Sequence, residues 1–150
     1  MTRYYEDVEV GETTDCGSYE VSKAEIIEFA EKYDPQPFHV DEEAAEESFL
    51  GGLVASGWQT AALCMRLKVQ QMDEKAIAGA RRIDDLRWIR PLRPGDTLSV
   101  ETEFVEKRPD PEHPSIGRIH SRTTGYNQRD EPIISYVALG LIERREPADG

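Results

Sequence analysis

Residues 57–69 read GWQTAALCMRLKV and form most of the longest helical pattern in the chain. Small and apolar residues fill the first half of this stretch, and charge enters only in the second half. A helix that is apolar most of the way round its circumference is a buried helix. At a rise of about 1.5 Å per residue, a helix from about Ser56 to Asp73 spans roughly 25 Å, enough to cross a small sheet. The stretch therefore predicts a long buried helix packed against a sheet.

The sequence after this helix changes to a period of two residues, which is typical of strands. The strands are predicted at Ile83 to Arg90, Thr97 to Glu106, Gly117 to Tyr126 and Ile133 to Ile142. One buried helix followed by a run of strands predicts an α+β fold, in which a curved antiparallel sheet packs around the helix. We expect residues 1–150 to form a single domain.

Two shorter helices are predicted before the buried one. Ser22 and Glu25 have the spacing of a capping box, in which each side chain accepts a hydrogen bond from the other residue's backbone N–H. Apolar residues recur at helical spacing behind them, so residues 22–33 predict an amphipathic helix. Asp41 is a suitable N-cap for a second, acidic helix that ends near Phe49.

Residues 34–41, DPQPFHVD, connect these two helices and place an acid and a base five residues apart. Proline fixes φ and disfavours the α conformation in the residue before it, so we expect an extended, irregular loop and no helix here. A stiff loop that presents Asp34 and His39 suits proton-transfer chemistry. On composition alone an ordinary interpretation is equally open, in which Asp34 ends a helix and His39 is a loop side chain.

The chain is strongly acidic, with 18 basic residues, 30 acidic residues and a net charge of −12. Nucleic-acid binding normally needs a basic surface, so no nucleic-acid partner is expected. No apolar run approaches the roughly 20 residues of a membrane span, so no membrane association is expected. The first residues contain no apolar signal segment, and the two cysteines have no metal-binding spacing, so we expect a cytoplasmic protein with reduced thiols.

The acidic surplus and the scarcity of lysine also predict a halophilic source. High salt screens the repulsion between carboxylates, and hydrated carboxylates keep such a protein in solution. The alternative is an acidic protein from a mesophile. A native fold that is retained only at high salt would support the halophilic interpretation, and indifference to salt would exclude it.

The pattern D-x-Q-P-F-H-x-D over residues 34–41 resembles the hydratase motif of the MaoC-like dehydratases, the (R)-specific enoyl-CoA hydratase group of the hot-dog fold. The resemblance extends to Gly57 at the head of the buried helix and to residues 90–96, RPLRPGD, which are similar to the family's Gly-Asp turn. Order and spacing match over roughly residues 7–143. The resemblance implies a hot-dog fold, with a long central helix wrapped by a curved antiparallel sheet.

The resemblance also implies an enzyme that adds water to a trans-2-enoyl-CoA to give the (R)-3-hydroxyacyl-CoA, or catalyses the reverse dehydration. Asp34 and His39 are then the catalytic acid–base pair, and the N–H of Gly57 stabilises charge on the thioester oxygen. Gln36 and Ser56 are the other candidate substrate-binding residues, although Ser56 also suits the N-cap of the buried helix. No metal is expected, because His113 and His120 have no partner at a metal-binding spacing. No cofactor is expected, because coenzyme A is part of the substrate.

A homodimer or a higher homo-oligomer is expected, and the resemblance implies that the pocket lies at the subunit interface. Two other functions stay open. A hot-dog acyl-CoA thioesterase would share the fold but would not need both Asp34 and His39. A non-catalytic acyl-thioester-binding subunit would have the same fold, and its sequence would be expected to lack Asp34 or His39.

Several positions leave the acyl group undetermined. The chain departs from the usual family pattern at Gln36, Ser56 and Met65, and Met65 occupies a position near the active site in some family members. Trp58 and Trp88 are interpreted as core residues, so they are not expected to contact a ligand.

Overall fold

A computed structural model describes residues 2–72 and 77–147. In these residues a 3-10 turn at Tyr5–Asp7 precedes the strands and helices. The strands are β1 (Thr13–Glu20), β2 (Ile77–Trp88), β3 (Thr97–Pro109), β4 (Ile116–Tyr126) and β5 (Pro132–Glu143). The helices are α1 (Lys23–Tyr33), α2 (Pro37–Val40), α3 (Glu42–Glu47) and α4 (Gly57–Gln70).

The strands form one antiparallel sheet in the order β1-β3-β4-β5-β2, so β1 and β2 are its edges. The predicted α+β architecture is confirmed, and β3, β4 and β5 begin and end within a few residues of the predicted limits. The predicted start of β2 at Ile83 is wrong, because this strand begins at Ile77. Three register shifts interrupt its pairing with β5, and such bulges break the regular alternation that sequence periodicity detects.

Helix α4 packs on β1 and β3 and buries one side in the main core. Its buried apolar residues are Leu63, Cys64 and Leu67. Burial of one leucine side chain typically contributes about 1.5–3 kcal/mol, so this side anchors the helix to the sheet. The prediction of a helix buried most of the way round is wrong, since Met65 and Val69 on the opposite side are about half exposed. Asp73, the predicted end of the helix, lies outside the described residues.

The capping box at the start of α1 is confirmed. The Ser22 hydroxyl accepts a hydrogen bond from the Glu25 N–H at 3.1 Å, and the Glu25 carboxylate accepts one from the Ser22 N–H at 3.2 Å. Asp41 caps α3 as predicted by accepting hydrogen bonds from two backbone N–H groups, but this helix ends at Glu47 instead of near Phe49. Local side-chain chemistry therefore sets where both helices begin.

The loop expected between α1 and α3 contains a helix that was not predicted. Pro37 is the first residue of α2, a four-residue helix that includes His39. The first residues of a helix donate no N–H to the helix itself, so proline is compatible with this position although it would disrupt a later one. The expectation of a wholly extended segment is therefore wrong beyond Gln36.

Strand β1 was also not predicted from the sequence. Its residues are mostly polar and only Cys16 is buried, so the alternation expected of a strand is weak. Its hydrogen bonds to β3 specify it, with an irregularity between Asp15 and Ser18. Within residues 2–72 and 77–147, no helix has the length and apolar character needed to cross a membrane.

Candidate active site

Asp34 and His39 are brought together by the short chain segment between α1 and α2. Asp34 is the C-cap of α1, and its backbone N–H donates to the Ala30 carbonyl. His39 lies in α2, five residues later, and its side chain is buried. The His39 Nε2 atom is 3.3 Å from the Asp34 Oδ2 atom. The predicted acid–base pair is thus in contact, and Asp34 ends a helix as well as taking part in this pair.

The other ring nitrogen of His39 determines its tautomer. Nδ1 lies 2.7 Å from the carbonyl oxygen of Val54. A carbonyl can only accept, so Nδ1 must carry a proton and donate it. A hydrogen bond between Nε2 and the Asp34 carboxylate then requires one further proton, shared by the two groups. Nε2, the ring nitrogen that faces Asp34, is therefore the position of His39 that is suited to proton exchange.

Asp34 is surrounded by hydrogen-bond donors. The Gln36 amide donates to Oδ1 at 2.7 Å, and the Ser56 hydroxyl donates to Oδ2 at 2.7 Å. Burial acts to raise the pKa of Asp34, but the two hydrogen bonds and the nearby His39 outweigh it and lower the pKa below its ordinary value. The carboxylate form is thus the favoured form of this side chain.

The N-terminus of α4 forms the adjacent side of the site. Ser56 is its N-cap and accepts a hydrogen bond from the Trp58 N–H at 3.3 Å. Gly57 is the first residue of the helix, where a backbone N–H is not used by the helix itself. The positive end of the helix dipole also lies here, so this N–H is suited to binding a developing negative charge.

A cavity of about 400 Å³ joins these groups. Asp34, Gln36, His39 and Gly57 contribute to its lining, together with apolar residues of the loop that precedes α4 and of the loop that follows β2. Ser56 is completely buried and does not line the cavity. Four of the five predicted site residues thus line one cavity, and the fifth, Ser56, is connected to it through its hydrogen bond to Asp34.

Two tryptophans in this cavity were wrongly interpreted as core residues. Trp58 and Trp88 are 59% and 45% exposed, and both line the cavity. Their rings meet edge to face with centroids 5.1 Å apart. The Trp88 indole N–H donates to the Gly57 carbonyl at 2.8 Å. Large aromatic residues are usually buried, and no sequence signal separated these two from core residues.

Thr60 also lines the cavity, and sequence reasoning did not identify it as a site residue. Arg90 lines the cavity as well. Met65 does not line it. It belongs to a second, mainly apolar cavity of about 430 Å³ between the later part of α4 and the sheet. The departure from the family pattern at Met65 therefore lies outside the cavity that contains Asp34. Among the described residues, no three His, Cys, Asp or Glu side chains are grouped as a metal site would require.

The fold and the site together define a class of protein. An antiparallel sheet packed on one long helix is the hot-dog fold, and in this chain Asp34 and His39 lie in contact near the N-terminus of that helix. A family model for the MaoC-like domain matches residues 7–117. The chain belongs to this MaoC-like family, as the motif at residues 34–41 predicted.

Known relatives agree with this assignment. The chain is 40% identical to a MaoC-like dehydratase from Rhodospirillum rubrum of known structure, with a TM-score of 0.88 and coverage of 96% of this chain and 99% of the other. It is 31% identical to the uncharacterized protein YdeM of Bacillus subtilis, over 90% of this chain and 95% of YdeM. It is also 36% identical to a mesaconyl-CoA hydratase from Cereibacter sphaeroides, over 41% of this chain but only 18% of that enzyme.

Proposed function

We propose that this protein is a hydro-lyase that adds water to a trans-2-enoyl-CoA to give the (R)-3-hydroxyacyl-CoA, or catalyses the reverse reaction. The observation that carries the proposal is the contact between Asp34 Oδ2 and His39 Nε2 at the edge of a cavity that also contains Gly57. The relationship to a mesaconyl-CoA hydratase supports the hydratase class, although the match covers a small part of that enzyme.

The acid–base pair would handle both protons of the reaction. A water molecule within hydrogen-bonding distance of both Asp34 Oδ2 and His39 Nε2 attacks C3 of the enoyl group and gives up a proton to the pair. The pair then returns a proton to C2, so the site ends in its starting state. Positioned acid–base groups of this kind typically contribute about 10²–10⁴-fold to the rate.

Gly57 would stabilise the charge that develops on the substrate. Attack at C3 moves negative charge onto the thioester oxygen, and the Gly57 N–H at the start of α4 would donate to that oxygen. Loss of one donor of this type typically costs about 10²–10³-fold in turnover. Hydration of an enoyl group causes no net oxidation or reduction, so the proposed reaction requires no redox cofactor, and coenzyme A enters as part of the substrate.

A homodimer is part of the proposal, because the exposed apolar residues are concentrated in one region. This region consists of α4, β2 and the residues next to them, and its exposed members are Trp58, Met65, Val69, Met72, Ile77, Ile83, Trp88 and Ile89. Strand β2 is a sheet edge with unpaired backbone groups along one side. A second copy of this chain would cover both features at once, since a two-fold contact places the same surface on each side.

The test is hydration of crotonyl-CoA by the purified protein, followed as loss of enoyl absorbance. We expect turnover by the natural sequence and a loss of about 10²-fold or more in Asp34→Asn and in His39→Gln, because each change removes one member of the pair. The matched controls are Asp130→Asn and His113→Gln, which make the same chemical changes at exposed turn positions. Circular dichroism shows whether each variant is folded.

Three outcomes would contradict the proposal. Equal activity in the site variants and the controls would show that Asp34 and His39 take no part in the reaction. Release of free thiol from saturated acyl-CoA, without hydration of short or longer enoyl-CoA, would indicate a thioesterase. Inactivity in both assays, with binding of acyl-CoA retained, would indicate a non-catalytic subunit.

A further inference from the structure

The Asp34 carboxylate is held from two sides by side chains that were expected to bind substrate. Ser56 donates to Oδ2 and Gln36 donates to Oδ1, each at 2.7 Å. Oδ2 is also the oxygen that faces His39 Nε2, so Ser56 and His39 meet at the same atom. With both oxygens engaged, the carboxylate cannot rotate without breaking a hydrogen bond to one of these residues.

We propose that Ser56 and Gln36 are positioning residues that hold the Asp34 carboxylate with Oδ2 against His39 Nε2, and that the Ser56 hydroxyl does not bind substrate. The effect of this positioning on turnover rests on the proposed hydratase function. The arrangement itself rests only on the contacts of these four side chains.

The hydrogen bonds of Ser56 leave it a single possible orientation. The Trp58 N–H can only donate, so the Ser56 oxygen accepts from it, and the one hydroxyl proton is left to donate to Asp34. Ser56 is completely buried, and both of its hydrogen-bonding roles are satisfied by protein groups. A substrate could not reach this hydroxyl without displacing Asp34 or unwinding the first turn of α4.

Ser56 thereby joins the two parts of the proposed site. It caps α4, whose first residue is Gly57, and it holds Asp34, which lies 22 residues earlier in the chain. The acid–base pair and the proposed oxyanion donor are thus linked through one side chain. A displacement of about 1 Å between such groups can cost ~10²-fold in rate, so this link would matter for turnover.

Gln36 supplies the second contact from within the same chain segment. Its side chain turns back over two residues, and its Nε2 atom donates to Oδ1 of Asp34. Gln36 is itself exposed, whereas the Asp34 side chain is only 18% exposed. Removal of this amide is therefore a mild change at the surface that still releases one oxygen of the carboxylate.

The proposal predicts the direction of a pH effect. His39 is the titratable group that contacts Asp34, and Arg90 lies elsewhere in the lining of the same cavity. Donors to a carboxylate favour its ionised form, so the pKa of Asp34 rises when Ser56 or Gln36 can no longer donate. Asp34 then becomes protonated at a higher pH, and the acidic limb of the kcat/KM profile moves to higher pH.

The experiment measures the pKa of Asp34 directly, from the carboxyl ¹³C shift of protein labelled at aspartate. Ser56→Gly removes the hydroxyl at a small cost to helix capping, since glycine is nearly as good as serine at an N-cap. Ser56→Thr retains the hydroxyl, and Gln36→Met removes the amide at an exposed position. We expect the Asp34 pKa to rise in Ser56→Gly and in Gln36→Met, and to return towards its original value in Ser56→Thr.

Turnover of crotonyl-CoA against pH is measured on the same samples. An unchanged Asp34 pKa in both Ser56→Gly and Gln36→Met overturns the proposal, and if Ser56→Gly does not fold, Gln36→Met alone decides it. The expected pKa changes in a protein that hydrates no enoyl-CoA would support the positioning role and contradict the proposed function. A protein that hydrates crotonyl-CoA but shows an unchanged Asp34 pKa in the variants would support the proposed function and contradict the positioning role.

Discussion

Gly57 and Trp88 pack so closely that residue 57 has no room for a side chain. A Cβ atom at this position would lie 2.5 Å from Cε2 of the Trp88 ring, well inside van der Waals contact. The same ring donates its N–H to the Gly57 carbonyl. Glycine at this position is therefore explained by packing, in addition to the close approach of a thioester oxygen that the proposed function requires.

Gly57→Ala is expected to lower the free energy of unfolding by about 1–3 kcal/mol, as is typical of overpacking, because the indole must move and lose its hydrogen bond. Urea denaturation measures the stability, and tryptophan fluorescence reports the displacement of the ring. The control is Gly140→Ala, where a Cβ would approach nothing closer than two carbonyl oxygens at 3.9 Å. Equal stability losses in the two variants would contradict this explanation.

At the level of secondary-structure elements, the turn between β3 and β4 is organised by one buried carboxylate. Asp110 accepts hydrogen bonds from the backbone N–H groups of Glu112 and His113 at 2.8 and 2.9 Å, and from Arg118 at 3.0 Å. The Glu112 N–H, the Arg118 guanidinium and the donors of His113 hold the pKa of Asp110 well below its ordinary value. The carboxylate thus adds to the backbone hydrogen bonds of this turn, which include one from the Ile116 N–H to the His113 carbonyl.

Asp110→Asn is expected to destabilise the fold at neutral pH and to matter less in acid. A lowered pKa stabilises the native state above the ordinary aspartate pKa, and this contribution is lost as the pH falls towards the folded-state value. Urea denaturation at several pH values between about 7 and about 3 measures the difference from the natural sequence. Asp130→Asn, at an exposed turn position, is the control for the loss of one charge. A difference that stays constant with pH would count against the role of ionised Asp110.

At the scale of the whole molecule, the edge strand β2 and the exposed side of α4 predict self-association. Met65→Glu and Ile83→Glu each place a carboxylate in the apolar region at a position about half exposed in the single chain. We expect both variants to shift the protein from dimer to monomer, because burying an unpaired charge at an interface is costly. Analytical ultracentrifugation measures the oligomeric state.

The control is Val10→Glu, which adds the same charge just before β1, at the opposite edge of the sheet, and should leave the dimer intact. A monomeric natural protein, or dissociation by all three variants alike, would contradict this interface.

The net charge of −12 also acts on the whole molecule. Repulsion among exposed carboxylates weakens as salt shortens the screening length to about 3 Å at 1 M. The halophilic source inferred from this charge stays a prediction, and the salt dependence of the unfolding midpoint is its direct measure.

Much of the fold and site followed from signals that lie close together in the chain. The capping box at Ser22 and Glu25 set the start of α1, because both partners are within one helical turn. Periodicity located α4 and the three strands β3, β4 and β5, since each buries a regular subset of its residues. The pattern at residues 34–41 singled out Asp34 and His39, and its resemblance to the MaoC-like motif implied that they act as a pair. The structure places the two side chains in contact, because one short segment connects them.

The tertiary structure alone decided which surfaces are covered and which distant residues meet. Strand β1 exists through its hydrogen bonds to β3, and periodicity could not detect it because its own residues are mostly polar. Trp88 reaches Gly57 from another element, and Ser56 reaches Asp34 across 22 residues. The composition of α4 predicted burial most of the way round the helix, but packing within the chain buries only one side. Burial and long-range hydrogen bonds depend on how separate elements pack together, and local sequence patterns do not determine that packing.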